Sequence, residues 1–199
     1  MKDESSLVVH AQHGSEEAFT ELVEAYQTHV YNLCYRMLGE TEFAEDASQE
    51  TFLRAFQHLH RYDHGRPFGT WLLSIAAHYC IDRLRRRRFS FTSMDQDDDG
   101  GGLELPDADA PNPELETVRH EQREQMQSFL QQLNAVDRSA IVLRYWHDYS
   151  EAEIADTLHL TVSAVKSRLH RARRELGSLW QEEGIRSNQK RRPHESPAF

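Results

Sequence analysis

Cysteine and long hydrophobic runs are nearly absent from this sequence. Its 199 residues include two cysteines, Cys34 and Cys80, far apart and outside any CxxC or Cys/His cluster, so neither a disulfide framework nor a zinc module is indicated. No apolar stretch approaches the roughly 20 residues that span a bilayer, and the start, Met1 to Glu4, lacks a signal-peptide pattern. We therefore expect a cytoplasmic protein with reduced thiols and no membrane segment of its own.

A catalytic constellation is missing as well. No serine or cysteine stands in a pattern that suggests an activated nucleophile, and adjacent acids such as Glu16 and Glu17 are typical of a solvated surface. Three of the twelve histidines, His58, His60 and His64, lie close together in the sequence. No cysteine or carboxylate accompanies them at ligand spacing. We expect no enzymatic activity, no bound metal and no cofactor.

Positive charge is scarce and unevenly placed. The net charge is -10, residues 1–65 hold twelve acidic and four basic side chains, and residues 89–120 hold nine acidic ones and a single basic one. Basic residues concentrate in two islands, 66–88 and 166–174. Because an acidic chain is repelled by phosphate overall, these islands are the candidate contacts with nucleic acid.

Hydrophobic periodicity predicts an all-α fold. Apolar residues at spacings of three and four predict helices over Glu16–Leu38, about Thr41 to Leu59, and from Phe68 into the run Arg85–Arg88, with Trp71 in the core. The sequence from Ser90 is rich in Asp, Gly and Pro, which is typical of a disordered linker. We predict two small helical domains joined by a flexible acidic linker, divided as follows: tail 1–15, N-terminal domain 16–89, linker 90–119, C-terminal domain 120–180 and disordered tail 181–199.

The C-terminal domain is predicted to contain a helix-turn-helix. Ser150 to Glu153 form a capping box that opens a short helix. His159 and Leu160 form the break, and Thr161 is a suitable N-cap for the next helix. From Thr161 to Arg174 there are five basic side chains and no acidic one. Two short helices joined by a tight turn, the second one basic, are typical of a DNA-binding motif, although a solvated basic face is the alternative interpretation.

The second helix has two distinct faces at helical spacing. Val165, Leu169, Ala172 and Leu176 form an apolar stripe suited to a core. The opposite face offers hydroxyl, imidazole and cationic groups suited to base edges and DNA phosphates. Its members are Ser163, Lys166, Ser167, His170, Arg171 and Arg174.

Three ordered segments together resemble a known family. They are Asp46–Phe56 (DASQETFLRAF), Phe68–Arg88 (FGTWLLSIAAHYCIDRLRRRR) and the helix-turn-helix from Tyr149 to Arg173. In order and spacing they are similar to the extracytoplasmic-function (ECF) sigma factors of bacteria, over roughly residues 16–180. The resemblance implies a protein that binds core RNA polymerase, recognises the -10 and -35 elements of promoter DNA, and directs transcription initiation.

The resemblance also implies roles for particular residues of the N-terminal domain. The helix carrying Asp46, Gln49, Glu50, Phe52 and Arg54 corresponds to the element that docks on the largest subunits of the polymerase, and we expect Phe56 beside it to be buried. The segment from Arg61 to Arg88 corresponds to the element that opens and reads the -10 element. Its candidate DNA-binding residues are Arg66, His78, Arg83, Arg85, Arg86, Arg87 and Arg88. His78 departs from the family, which usually has Asn there.

In the C-terminal domain the resemblance implies -35 readout by the second helix. Lys166, Ser167, His170 and Arg171 align with the family's base contacts, and Arg168 and Arg174 suit phosphate or solvent. Thr161 and Ser163 complete the candidate set at the start of this helix. The acidic linker corresponds to the connector that enters the polymerase channels, with an inert spacer as the alternative. Regulation by an anti-sigma factor is the further partner that the family implies.

Two other functions fit parts of the sequence. A stand-alone helix-turn-helix regulator would use residues 16–88 for dimerisation or sensing and would bind duplex DNA tightly without polymerase. An interaction protein would use its acidic linker to mimic nucleic acid and inhibit a partner. The first alternative predicts specific DNA binding without core polymerase, and the second predicts no promoter activity under any condition.

Overall fold

Helices account for the regular structure of the part of the chain that is described. The computed structural model describes residues 4–91 and 113–190, with side chains for 4–87 and 121–185. Across these ranges it contains no strand, which confirms the all-α prediction. The elements are α1 Glu4–Gln12, α2 Glu16–Leu38, α3 Thr41–His58, a 3-10 turn Leu59–Arg61, α4 Phe68–Phe91, α5 Pro113–Gln132, α6 Ala135–Trp146, α7 Glu151–Leu158 and α8 Val162–Lys190.

The N-terminal domain is built on α2, which begins and ends where its sequence predicts. Ser15 caps its start, because the Ser15 hydroxyl accepts a hydrogen bond from the Ala18 amide at 3.2 Å. Gly39 ends it in the left-handed region at φ 88°, where a glycine carries no Cβ penalty. Helices α3 and α4 pack along α2, and Leu33, Cys34, Leu72 and Cys80 are fully buried between them.

Helices α5 to α8 form the C-terminal domain. Its core contains Leu130, Ile141, Leu143 and Ile154, together with Leu169 of α8.

In the N-terminal domain the predicted core position of Trp71 is confirmed, because Trp71 is 8% exposed. In the described part of the chain no helix is long and apolar enough to cross a membrane.

The helices extend beyond the domain limits predicted from the sequence. The segment assigned as an N-terminal tail contains α1, whose Val8 and Ala11 are buried against α2 and the 3-10 turn. Helix α5 begins at Pro113, inside the predicted linker, and α8 continues to Lys190, inside the predicted C-terminal tail. Most of the linker, residues 92–112, and the last residues, 191–199, lie outside the described residues.

The two domains pack against each other. Helix α6 contacts α2 and α4, and α7 contacts α4. The end of α2 is held by polar side chains of the C-terminal domain: Gln127 donates to the carbonyl oxygens of Tyr35 at 3.0 Å and Arg36 at 3.2 Å, and Arg138 donates to that of Met37. The last four carbonyls of a helix have no intrahelical partner, so these side chains supply hydrogen bonds that the end of α2 requires.

Some buried polar atoms at the interface between the domains lack hydrogen-bond partners. Among the described residues, six buried side-chain atoms have no hydrogen-bond partner, and all belong to α5, α6 or the residue after α6. They include Nε of Arg138 and both ring nitrogens of His147. A buried polar atom without a partner costs about 1–3 kcal/mol. This contact between domains therefore resembles an interface that can separate more than it resembles a permanent core.

Candidate nucleic-acid interface and partner-binding face

The helix-turn-helix forms as its sequence predicts. The Ser150 hydroxyl accepts from the Glu153 amide at 3.2 Å, and the Ser150 amide donates to the Glu153 carboxylate at 2.8 Å, which completes the capping box. His159 makes the turn in the left-handed region, at φ 52°, a backbone conformation that glycine adopts most readily. Thr161 caps α8 by accepting from the Ala164 amide at 3.2 Å. The apolar stripe of α8 then faces the domain core.

The opposite face of α8 is open to solvent. Ser163, Lys166, Ser167, His170 and Arg174 are all exposed. The ammonium of Lys166 lies 3.7 Å from the carboxylate of Glu151, a separation too long for a strong pair at an exposed position. Hydroxyl, imidazole and cationic groups therefore share one accessible face, as the helical spacing predicts.

Two arginines of α8 are bound to a buried carboxylate on α6. Asp137, whose side chain is fully buried, accepts from Arg168 at 2.7 Å and from Nε and Nη2 of Arg171 at 2.6 and 2.8 Å. Burial acts to raise the pKa of Asp137, but hydrogen bonds from Arg171, Arg168 and Asn134 outweigh it and hold this pKa below its ordinary value. The carboxylate fixes the orientation of α8 on α6. This pairing was not predicted from the sequence.

On α3 the predicted polar residues face α4. Arg54 pairs with Glu50 at 2.6 Å and lies over the ring of Tyr79, 4.9 Å from its centroid. Asp46 lies 3.6 Å from the guanidinium of Arg83. These side chains form a continuous charged seam between α3 and α4. Phe52 is partly buried against the core, and Gln49 is exposed.

The prediction that Phe56 is buried is wrong. Its side chain is 50% exposed, and Leu53 beside it is 52% exposed. Phe56 makes an edge contact with Phe19, at 5.0 Å between centroids. Because apolar residues occupy two faces of α3, periodicity alone could not tell which face meets the core. Gln49, Leu53 and Phe56 lie at spacings of four and three and form one solvent-facing stripe.

Two candidate residues for the -10 element contact the C-terminal domain. Arg66 lies 3.3 Å from the carboxylate of Asp156 on α7. The ring of His78 stacks on the ring of His159 in the helix-turn-helix, with centroids 4.9 Å apart, while its Nδ1 bonds to the Ser74 carbonyl at 2.7 Å. In this arrangement the helix-turn-helix covers part of the candidate surface on α4.

The arginine run at the end of α4 divides into two groups. Arg83 and Arg87 pack over the ring of Phe43, at 4.4 and 5.4 Å from its centroid, and Arg87 pairs with Glu40 at 2.7 Å. Arg85 and Arg86 are exposed. The side chain of Arg88 lies outside the described residues. The structure therefore brings Arg83 and Arg87 to α3 and leaves Arg85 and Arg86 on the surface.

No metal centre accompanies these surfaces where the structure is described. Residues 4–87 and 121–185 contain no group of three His, Cys, Asp or Glu side chains arranged to hold an ion. Cys34 and Cys80 are both buried, and their mutual hydrogen bond and burial raise the pKa of the Cys80 thiol. The Cys80 thiol is therefore a poor nucleophile at neutral pH.

Comparison with known proteins matches both domains of the chain to one protein family. Residues 22–90 match the family described as Sigma-70 region 2, and residues 123–176 match Sigma-70, region 4. The ECF RNA polymerase sigma factor SigW of Bacillus subtilis (strain 168) is 36% identical over 166 residues, which cover 82% of this chain and 89% of the relative.

Solved structures show the same fold. The structure of CnrH in complex with the cytosolic domain of CnrY is similar with a TM-score of 0.64 and 28% identity, covering 90% of this chain and 99% of the other. The sigma factor RpoE in complex with the anti-sigma factor NepR from Bartonella quintana gives a TM-score of 0.66 at 20% identity, covering 82% and 96%. From the matches to both sigma-70 regions and the extent of the likeness to SigW, the chain belongs to the ECF family of RNA polymerase sigma factors.

Proposed function

We propose that this chain binds the largest subunits of core RNA polymerase, recognises the -10 and -35 elements of promoters, and directs transcription initiation without being an enzyme itself. One observation carries this proposal: three chemically different surfaces are exposed on one chain. They are the apolar stripe on α3, the arginine-bearing end of α4 and the polar face of α8. A protein that must bind another protein, an opened strand and a duplex requires three such surfaces.

The stripe on α3 is the polymerase-binding face. Exposed Leu53 and Phe56 are apolar anchors, and Gln49 supplies an amide beside them. An apolar centre with a polar rim is the usual composition of an energetic hot spot in protein interfaces. In this proposal Asp46, Glu50 and Arg54 form the polar rim of the polymerase-binding face. Their side chains are already held in place by contacts along the seam with α4.

The polar face of α8 reads the -35 duplex. Lys166, Ser167 and His170 are exposed there and can reach base edges in a major groove. Arg171 uses Nε and Nη2 to hold Asp137, so Nη1 is the group that it offers to DNA. Ser163 and Arg174 flank these residues and suit phosphate oxygens.

Binding to both elements requires the domains to separate. Arg66 and His78, which we assign to the -10 element, contact Asp156 and His159 of the helix-turn-helix. An opened strand and the C-terminal domain therefore compete for one surface. Unpaired polar atoms at the interface lower the free energy needed to separate the domains. Contacts with polymerase and promoter supply the remaining free energy.

We further propose that an anti-sigma factor regulates this chain in the cytoplasm. Support comes from two proteins of similar structure that were solved with a bound partner. They are the sigma factor RpoE with the anti-sigma factor NepR, and CnrH with the cytosolic domain of CnrY. A partner that bridges the two domains would favour the packed arrangement over the separated one.

Binding of labelled promoter fragments, with and without core polymerase, tests the proposal. We expect weak binding of duplex DNA by the chain alone, because its net charge is -10, and tight, sequence-specific binding once core polymerase is added. Tight specific binding without polymerase would instead support the stand-alone regulator. Binding to core polymerase with inhibition at every promoter would support the nucleic-acid mimic.

A further inference from the structure

Gln12, the last residue of α1, connects this helix to the loop between α3 and α4. Its side-chain nitrogen donates to the carbonyl oxygens of Leu59 at 3.0 Å and Tyr62 at 3.1 Å. Its side-chain oxygen lies 2.8 Å from Nε2 of His64. One side chain thus makes three hydrogen bonds to a loop that lies about fifty residues further along the sequence.

The chemistry of these bonds specifies a primary amide. Two carbonyl acceptors require two N–H donors on one atom, so the NH2 group of Gln12 must face Leu59 and Tyr62. The oxygen of Gln12 then accepts from His64, which must carry its proton on Nε2. Glutamate is nearly the same shape but has no donor for either carbonyl. The network therefore depends on glutamine at this position.

The buried ring of Tyr62 packs against Phe68 and Trp71, and two other hydrogen bonds of the loop are local. The Tyr62 hydroxyl donates to the Arg66 carbonyl at 2.5 Å, and the Gly65 amide donates to the Asp63 carboxylate at 3.0 Å. Such local bonds define turns within a loop, but they do not fix its position relative to the domain. Apolar packing of Leu59 and Tyr62 holds the loop on the domain, and Gln12 adds directional hydrogen bonds from α1, which is anchored in the core through Val8.

Helix α1 and the loop also line an open cavity of about 430 Å³. Glu4, Ser5 and Val8 line it from α1, and Tyr62, His64 and Arg66 line it from the loop. Cavities of several hundred cubic ångströms accommodate groups the size of a nucleobase. A change in the position of α1 would alter one wall of this cavity.

We propose that Gln12 is a positioning residue for -10 recognition, and that α1 is part of the device that reads the opened strand. This inference rests on the proposed function of the loop and α4. Gln12 acts through the loop and need not touch DNA: by fixing the carbonyls of Leu59 and Tyr62 and the ring of His64, it presents Arg66 and the cavity wall in one conformation.

Transcription with core polymerase from promoters randomised in the -10 element tests the proposal. The variant Gln12→Glu removes both donors and retains an acceptor for His64. The matched control is His13→Ala, because the ring of His13, the residue after α1, bonds to the Val9 carbonyl of that helix and not to the loop. We expect Gln12→Glu to lower open-complex formation about tenfold, as the loss of two partly buried hydrogen bonds implies, and to broaden the -10 preference. His13→Ala should retain the activity and preference of the unaltered chain.

Three further measurements separate positioning from general support of the fold. The affinity for core polymerase and the -35 preference of Gln12→Glu should match those of the unaltered chain. An equal loss at every -10 sequence, together with a lower melting temperature, would overturn the proposal. Absence of transcripts from the unaltered chain would contradict the proposed function instead, so the two failures are distinguishable.

Discussion

Arg138 on α6 donates a hydrogen bond to the main-chain oxygen of Met37, near the end of α2. The same guanidinium donates to the carbonyls of Gln131 and Leu133, and burial lowers its pKa to about 10. It therefore remains charged at neutral pH with carbonyl oxygens as partners at the ends of α2 and α5. A cation at a helix C-terminus is favoured by the helix dipole, which explains how a charge is tolerated between the domains.

Replacing Arg138 should destabilise the packed arrangement. In Arg138→Met three carbonyl oxygens lose a donor, so we expect the free energy of unfolding to fall by about 2–4 kcal/mol. Arg144→Met on the same helix removes one bond, to the Tyr149 carbonyl at 2.8 Å, and should cost about 1 kcal/mol. Urea denaturation of both variants measures the difference. Equal effects would show that Arg138 has no special role at the interface.

Stability should fall in mildly acidic solution because of His147. Burial and the nearby His29 lower the pKa of His147 to about 4, against the opposing effect of Asp148, whereas the unfolded chain has a histidine pKa near 6.5. The unfolded state therefore binds the proton more readily, and stability is lost as the pH falls from 6.5 towards 4. Between pH 7 and pH 5 this amounts to about 2 kcal/mol.

The variant His147→Leu isolates this contribution. It removes the titrating ring and two unpartnered nitrogens while retaining an apolar side chain of similar volume. Its urea midpoint should change less between pH 7 and pH 5 than that of the unaltered chain. An unchanged pH dependence in His147→Leu would assign the effect to other groups.

Arg171 and Arg174 should differ in both stability and recognition. Arg171→Ala breaks the bidentate contact with Asp137 and leaves a buried carboxylate with fewer donors, so we expect a loss of about 1–3 kcal/mol in unfolding free energy and altered promoter choice. Arg174→Ala should leave stability within about 0.5 kcal/mol and should weaken binding at all promoters, with a flatter salt dependence. Denaturation and promoter competition assays measure these effects. Similar results for both variants would contradict the assignment.

Polar substitution of the stripe on α3 should weaken polymerase binding without unfolding the domain. We expect Leu53→Ser and Phe56→Ser each to lower the affinity for core polymerase at least about tenfold, as is typical of apolar hot spots. Val9→Ser is a matched control, because Val9 is also an exposed apolar residue, 40% exposed, but lies on α1 and not on α3. Titration of fluorescent core polymerase measures the affinities. A loss in Val9→Ser as large as in Phe56→Ser would contradict the assignment of this face.

The helices and caps could be predicted from the sequence because their determinants are local. The bounds of α2, the capping box at Ser150 and the N-cap at Thr161 depend on residues within a few positions of each other. Two features could not be predicted, because each depends on which helices pack together. They are the exposure of Phe56 and the pairing of Arg171 with Asp137. Gln12 gave no signal either, since its partners lie about fifty residues away.

Start sites mapped on genomic fragments transcribed by core polymerase with this chain test the central claim most directly. The account predicts transcripts whose upstream sequences align into two blocks at a fixed spacing, one near -35 read by α8 and one near -10 read by the loop and α4. No transcripts from any fragment, with an active control sigma factor present, or transcripts that share only one block, would contradict it.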